Sequence, residues 1–290
     1  MIAFLVVGII PLAVAAFSAL TKSSSALSHQ AFNQLSSLRE VKKQQIEKYF
    51  ADRLLMMQDI PKNLRFAGGG LKDFTPSFQQ GLESAEYKEA LSRRDEGLKI
   101  FNTVFGFYDV FLIDPNGNVV YTASKESDLG TNLVSGPLSK SGLARVFEKS
   151  KTGTVFEDFS WYGPSNEAAS FIATPLKDGD GNYIGSAAFQ VSLKEINDIM
   201  QERSGLGKTG ETYLVGPDKL MRSDSFLDPK GHSVKASFEN PSKGSVDTEA
   251  SRQGLAGKVD TKMIIDYTGG RVFSSYTPLK IADKIWVLIC

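Results

Sequence analysis

The first pattern along the chain is an apolar run. Ile2 to Leu20 is apolar or small and uncharged, broken only by Gly8, Pro11 and Ser18. At ~1.5 Å rise per residue such a run is about 30 Å long, the thickness of bilayer hydrocarbon. It predicts a transmembrane helix over residues 1–21. The rival is a cleaved signal peptide, since Ala13-Val14-Ala15 resembles a cleavage site. The length of the run and the lack of preceding basic residues favour the anchor. From Leu12 to Ile60 there is no Gly or Pro, and Leu35, Leu38, Ile46, Tyr49, Met56 and Ile60 recur at helical spacing, interrupted by Lys42 and Arg53. This predicts a long exit helix over 22–64 that ends or bends at Pro61. It can pack on its own domain, or pair with a second copy as heptad-like seams do, along different turns. Gly68-Gly69-Gly70 predicts a loop, and Ser77 to Val104 a further helical stretch.

The period changes at Phe107. Val110-Phe-Leu-Ile113 meets Asp114-Pro-Asn-Gly-Asn118 and then Val119-Val-Tyr121, a strand–turn–strand signature. Val155 to Phe159, Ser170 to Leu176 and Tyr183 to Val191 read as strands, with a tight turn at Asp178-Gly-Asp-Gly-Asn182. Leu193 to Arg203 reads as a short amphipathic helix ending at Gly205.

The pattern then repeats. Phe111-Leu-Ile-Asp-Pro115 is echoed by Tyr213-Leu-Val-Gly-Pro217, and Thr174-Pro-Leu-Lys177 recurs unchanged as Thr277-Pro-Leu-Lys280. The offsets, 217 − 115 = 102 and 277 − 174 = 103, nearly agree and keep the same order. A duplicated α/β module is the simplest source. The expected division is 65–203 for the first module and 204–290 for the second.

Composition removes several functions. The formal net charge is +0 and no long basic block exists, so phosphate neutralisation on a nucleic acid has little to work with. Cys290 is the only cysteine, and His29 and His232 are the only histidines, far apart in sequence. A zinc site or a Ser-His-Asp triad is disfavoured. Gly205-Leu-Gly-Lys-Thr-Gly210 imitates a phosphate-binding loop, but a helix precedes it and a strand over Glu211–Val215 follows, the reverse of the required order. Asp178 to Asn182 imitates a calcium loop, yet Tyr183 and Phe189 stand where Gly and a bidentate Glu belong. No catalytic or cofactor motif stands out, so the expectation is a non-enzyme without a cofactor.

An apolar anchor, an exit helix and two α/β modules resemble the periplasmic double Cache (dCache) sensor region of a bacterial methyl-accepting chemotaxis receptor. The resemblance rests on Phe111-Leu-Ile-Asp-Pro-Asn-Gly-Asn118, Pro175-Leu-Lys-Asp-Gly-Asp-Gly-Asn-Tyr-Ile-Gly185 and Gly207-Lys-Thr-Gly-Glu-Thr-Tyr-Leu214. It implies an α/β (α+β) fold: a long N-terminal helix followed by two tandem PAS-like modules with antiparallel sheets. It also implies location at the inner membrane with the sensor in the periplasm, a homodimer, a ligand in the first module, and a second span and signalling part beyond Cys290. A histidine kinase or cyclic-dinucleotide enzyme carrying the same sensor, and an anchored module that binds a periplasmic protein, are the competing readings.

Relatives that bind amino acids carry an Arg-x-Trp-Tyr segment after the first hairpin and an Asp on the module's last strand. Here the corresponding positions hold Ser135-Gly-Pro-Leu-Ser-Lys140 and Gln190. The resemblance therefore favours a small polar ligand other than an α-amino acid, such as an amide, a nucleobase-like ring or a carboxylate. Tyr108, Asp109, Tyr121, Asp158, Ser170 and Gln190 are the polar and aromatic groups on the first module's strands, and all six are candidate ligand contacts. Tyr108 and Asp109 cannot both face one side of a regular strand. Trp161 and Tyr162 complete the set. They sit side by side in EDFSWYGPSNEAASFIATPL, and the second module's Val272-Phe-Ser-Ser-Tyr-Thr-Pro-Leu279 lacks such a pair.

Overall fold

The computed structural model describes residues 2–60, 66 and 69–290, with side chains from Pro11 onward. The elements in chain order are α1 (Ile2–Met57), α2 (Leu71–Gln79), α3 (Ala85–Thr103), β1 (Phe107–Ile113), β2 (Val119–Thr122), α4 (Gly142–Ser150), β3 (Val155–Tyr162), β4 (Glu167–Lys177), β5 (Tyr183–Val191), α5 (Leu193–Met200), β6 (Tyr213–Val215), α6 (Val234–Glu239), α7 (Pro241–Gly244), α8 (Glu249–Leu255), β7 (Asp260–Ile265), β8 (Arg271–Ile281) and β9 (Lys284–Ile289). Ser84, Ser141, Ser192, Ser233 and Thr248 open α3, α4, α5, α6 and α8, each accepting a hydrogen bond from the backbone N–H three residues on. These hydroxyls satisfy donors that the first helical turn leaves free.

The apolar run and the exit helix form one continuous helix, α1. Among the described residues no helix is long and apolar enough to cross a membrane, and the side chains of residues 1–10 lie outside that set. Residues 61–65, including Pro61, and Gly68 also lie outside it. The single helical stretch expected over Ser77–Val104 is instead two helices. Gly81 separates them with a backbone φ of +99°, a conformation that costs glycine little and other residues much more.

Two antiparallel sheets carry the fold, in the orders β2-β1-β5-β4-β3 and β6-β9-β8-β7. The second repeats the β1-β5-β4-β3 order of the first, and in place of β2 it has a single antiparallel bridge, from Val215 to Met221. Both Asp turns of the first sheet are alike. Asp114 Oδ1 accepts from the N–H groups of Asn116 and Asn118, and Asp178 Oδ1 from those of Asp180 and Asn182. A short side chain that satisfies its own turn explains why Asp opens each one, and Asp178 to Asn182 is a turn between β4 and β5.

The first sheet is buried on both faces. Leu112, Ile172 and Phe189 face the layer of α1, α2 and α3, whereas Phe111, Phe171 and Ala188 face α4. Alternation along each strand produces this division. α1 lies along both sheets: Phe32 packs edge-on to Phe273 of β8 at 4.8 Å, and Phe50 meets Phe156 of β3 at 5.4 Å and Trp286 of β9 at 5.3 Å. Between these contacts the buried Lys42 donates to the Ile199 carbonyl and, at 2.9 Å, to that of Glu202. Lys42 thus caps the last turn of α5, and burial lowers its pKa.

Candidate functional site

The α4 face of the first sheet holds an unusual concentration of buried polar groups. In register across three strands, Asp109 of β1 stands beside Gln190 of β5, which stands beside Phe171 of β4. Tyr162 ends β3 on the same face, opposite Glu167. After β2 the chain turns back along the strand. Gly130 N–H donates to the Val119 carbonyl, and Val119 N–H to that of Thr131, both at 2.9 Å. This return buries Asp128, which accepts a hydrogen bond from Tyr162 Oη at 2.7 Å.

A bulge shapes the entrance. The β1–β5 register shifts between Phe107 and Asp109, so Tyr108 leaves the regular pleat while Asp109 points inward. Tyr108 is partly exposed and donates through its hydroxyl to Glu126 Oε1 at 2.6 Å. It also lines an open groove of about 460 Å³ with Glu167, Ser192, Asn197 and Asp224. The groove and the buried cluster therefore share Tyr108.

The cluster is electronegative. Burial raises the Asp109 pKa to about 6, against hydrogen bonds from Thr122, Ser124 and Val110 that favour the carboxylate, and Asp128 adds a like charge. Burial also raises Asp128, opposed by Tyr162 and reinforced by Glu126. Glu167 is pushed up by burial and then by Asp224. The basic groups on α4 are engaged elsewhere: Arg145 Nε and Lys149 Nζ both donate to Glu157, at 2.5 and 2.8 Å.

Three acceptor oxygens here have no partner. Asp128 Oδ1, Gln190 Oε1 and Glu126 Oε2 are buried without a hydrogen bond. Such groups are costly in a closed core and mark a place that something else completes. Asp109, by contrast, is satisfied by Thr122 Oγ1 at 2.5 Å and the Ser124 N–H at 3.0 Å.

Of the eight residues singled out in the sequence, Tyr108, Asp109, Tyr162 and Gln190 come together. The other four lie elsewhere. Tyr121 faces the helices, with its ring 4.8 Å from Phe74 and its hydroxyl on Asp95. Ser170 is buried on that same face, because it alternates with Phe171. Trp161 pairs with Ala168 on the face away from Tyr162 and is 40% exposed. Asp158 leaves β3 at a second bulge, between Glu157 and Ser160, and binds Arg222 beyond β6. Thr122, Glu126, Asp128, Ser165 and Glu167 belong to the cluster and were missed. The alternation of Glu126 and Asp128 before Gly130 was the available signal, but only the fold of the return loop places them.

The second sheet has a comparable carboxylate that is closed. Glu211 accepts from Tyr267 Oη, from Ser225 Oγ at 2.7 Å and from the N–H groups of Phe226 and Leu227 at 2.9 and 3.2 Å. A surface groove of about 520 Å³ beside it includes Asp247 and Glu249. Their charges are already paired, with Lys219 and Arg252 and with Lys262. Among the described residues no three His, Cys, Asp or Glu side chains converge to hold a metal ion.

No curated protein sequence matches the chain. Among solved structures, the ligand-binding domain of the Pseudomonas fluorescens chemoreceptor CtaA in complex with L-serine is similar at TM-score 0.54 and 16% identity, covering 90% of this chain and 96% of that one. The ligand-binding domain of the Pseudomonas aeruginosa PAO1 amino acid chemoreceptor PctB, with L-Arg, matches at TM-score 0.54 and 14% identity, covering 90% and 94%. That of PctC from the same organism, with GABA, matches at 0.53 and 12%, covering 90% and 98%. At these identities the likeness concerns the fold. The Cache-domain profile dCache_1 matches residues 21–290. The chain is a member of the dCache_1 family of Cache domains.

Proposed function

We propose that the chain is the extracytoplasmic sensor region of a transmembrane chemoreceptor, and that it binds a small molecule in its first module (65–203) between the sheet and α4. The observation that carries this reading is the contrast between the two sheets. The first buries carboxylate and amide acceptors on Asp128, Gln190 and Glu126 with no partner. In the second the buried carboxylate Glu211 is fully hydrogen-bonded and, among the described residues, the buried side-chain atom without a partner is the Ser274 hydroxyl. Tyr108, Asp109, Tyr162 and Gln190 are the proposed contacts. The amino-acid and GABA complexes of the similar receptor domains support a small-molecule ligand.

The rest of the reading follows the course of α1. Leu12, Val14, Phe17, Leu20 and Leu27 are exposed along it, which fits a membrane anchor continuing into a helix that pairs with a second copy. Phe32, Lys42 and Phe50 tie the same helix to β8, α5 and β3. A ligand that repacks the first module has a mechanical connection to the membrane. The role is sensing and involves no catalysis.

The electrostatics change one expectation about the ligand. The missing Asp at Gln190 argued against an ammonium group, but Asp109 stands directly beside it on the adjacent strand. An anionic ligand is the poor fit, because the site is lined by carboxylates. The test is a thermal-shift screen of the full chain in detergent micelles against small metabolites. A ligand that binds only the folded form raises Tm by mass action. If no compound raises Tm, direct sensing fails and a periplasmic protein partner becomes the better account.

A further inference from the structure

We propose that the first-module site selects a ligand bearing a primary ammonium group and lacking an α-carboxylate, with Asp128 and Gln190 as its recognition residues. The inference rests on the proposed sensing role and names the chemistry that the site would recognise.

The donor–acceptor balance is one-sided. The three open atoms, Asp128 Oδ1, Gln190 Oε1 and Glu126 Oε2, are all acceptors. Asp128 and Gln190 are fully buried, on the α4 face of the sheet and its return loop. A primary ammonium presents three N–H donors and no acceptor, the complement of such a set. A carboxylate ligand presents only acceptors and would leave all three oxygens unmet. A neutral hydroxyl would satisfy one of them and bring no charge against the carboxylates.

The surroundings agree. Tyr162 and Phe171 lie edge to face with centroids 5.0 Å apart, and Phe111 lies 6.2 Å from Phe171 on the same face. Aromatic rings beside carboxylates are a favourable setting for an organic cation. A bare metal ion is a poorer occupant, since no three acidic or histidine groups among the described residues converge on one point. An α-carboxylate is held most strongly by a cation, and both cations of α4 are engaged. Arg145 is held by Glu157, Ser160 and the Lys140 carbonyl, and Lys149 by Glu157. The groove beyond Tyr108 carries Glu167, Asp198 and Asp224 against one cation, Lys194, which is paired with Asp198, and the excess negative charge would attract a cation toward the entrance.

The experiment uses the full chain in micelles at pH 8, read by thermal shift and calorimetry. The probes are ethanolamine, 1,4-diaminobutane and tyramine, set against L-alanine, propionate and propionamide. The expected result is stabilisation by at least one amine, with affinity reduced about tenfold or more in Asp128→Asn. Gln190→Met gives the same reading should Asp128→Asn fail to fold. Stabilisation by propionate or propionamide, but by none of the amines, overturns the ammonium proposal and leaves the sensing role standing. Binding of L-alanine as tight as that of the amines overturns the exclusion of an α-carboxylate. An amine that binds equally to wild type and both variants overturns the assignment of Asp128 and Gln190. If no probe or wider metabolite binds, the sensing role falls together with the proposal.

Discussion

Arg222 grips Asp158 with two parallel hydrogen bonds, Nε to Oδ1 and Nη2 to Oδ2, both 2.9 Å long. The pair joins β3 of the first sheet to the segment after β6 of the second. Trp286 Nε1 donates to Asp158 Oδ1 at 3.1 Å, and Asp218 accepts from the same guanidinium at 3.0 Å. Arg222 is almost wholly buried. Burial opposes its charge, but the bonds to Asp158 outweigh this and raise its pKa. Breaking one member of a buried pair costs about 3–5 kcal/mol where the other charge is stranded, and Asp218, which still faces Arg222, lowers that cost here. Asp158→Asn should therefore lower stability, whereas replacing Asp158 and Arg222 together by apolar residues should cost much less. Urea denaturation of the two variants checks this, and equal losses would contradict it.

The pH dependence of stability follows from Asp109. Its pKa rises from 3.8 in the unfolded chain to about 6 in the fold. The folded state thus holds the proton more tightly. The favourable contribution is complete below about pH 4 and is lost as pH rises through 6. The difference is on the order of 2 to 3 kcal/mol. Asp128 shifts in the same direction on the same face, and Thr122, Ser124 and Val110 donate to Asp109. Asp109→Asn should flatten this limb when urea midpoints are compared at pH 4.5 and 7.5. A variant that tracks wild type would show that Asp109 titrates normally.

Lys42 joins α1 to the end of α5. Lys42→Met removes the donor to the Ile199 and Glu202 carbonyls. A buried acceptor left unmet costs about 1–3 kcal/mol, partly offset by no longer burying an ammonium. Hydrogen exchange should quicken at the last turn of α5 and little elsewhere. Unchanged exchange there would show that the cap contributes nothing.

Helix α4 covers the candidate site closely. A Cβ at Gly142 would lie 2.9 Å from Ser160 Oγ and 3.2 Å from the Phe171 ring. Gly142→Ala should push α4 from the sheet and cost about 1–3 kcal/mol. Gly153→Ala, where a Cβ meets nothing within 4 Å, is the control and should be near neutral. Thermal unfolding of the two variants side by side is the check.

Local chemistry was legible in the sequence where it acts locally. The turns at Asp114 and Asp178 and the strands flanking them form as their residue types demand. The repeated Thr-Pro-Leu-Lys falls on the ends of β4 and β8, which occupy corresponding places in the two sheets. The site was half legible. Asp109, Gln190 and Tyr162 follow from alternation, but bulges at Tyr108 and at Asp158 break the period and redirect those side chains. Pairing between distant strands sets such bulges, and no short window of sequence contains it. The neighbouring Trp161 and Tyr162 show the same limit. Adjacency in a strand places them on opposite faces, so at most one could join the cluster.

The most direct measurement is a crystal structure of the chain grown with a ligand found by the thermal-shift screen. The account predicts density between the first sheet and α4, with donors of the ligand against Asp128 and Gln190. Density confined to the second module beside Asp247 and Tyr267, or to the groove at Asn197 and Asp224, would contradict it.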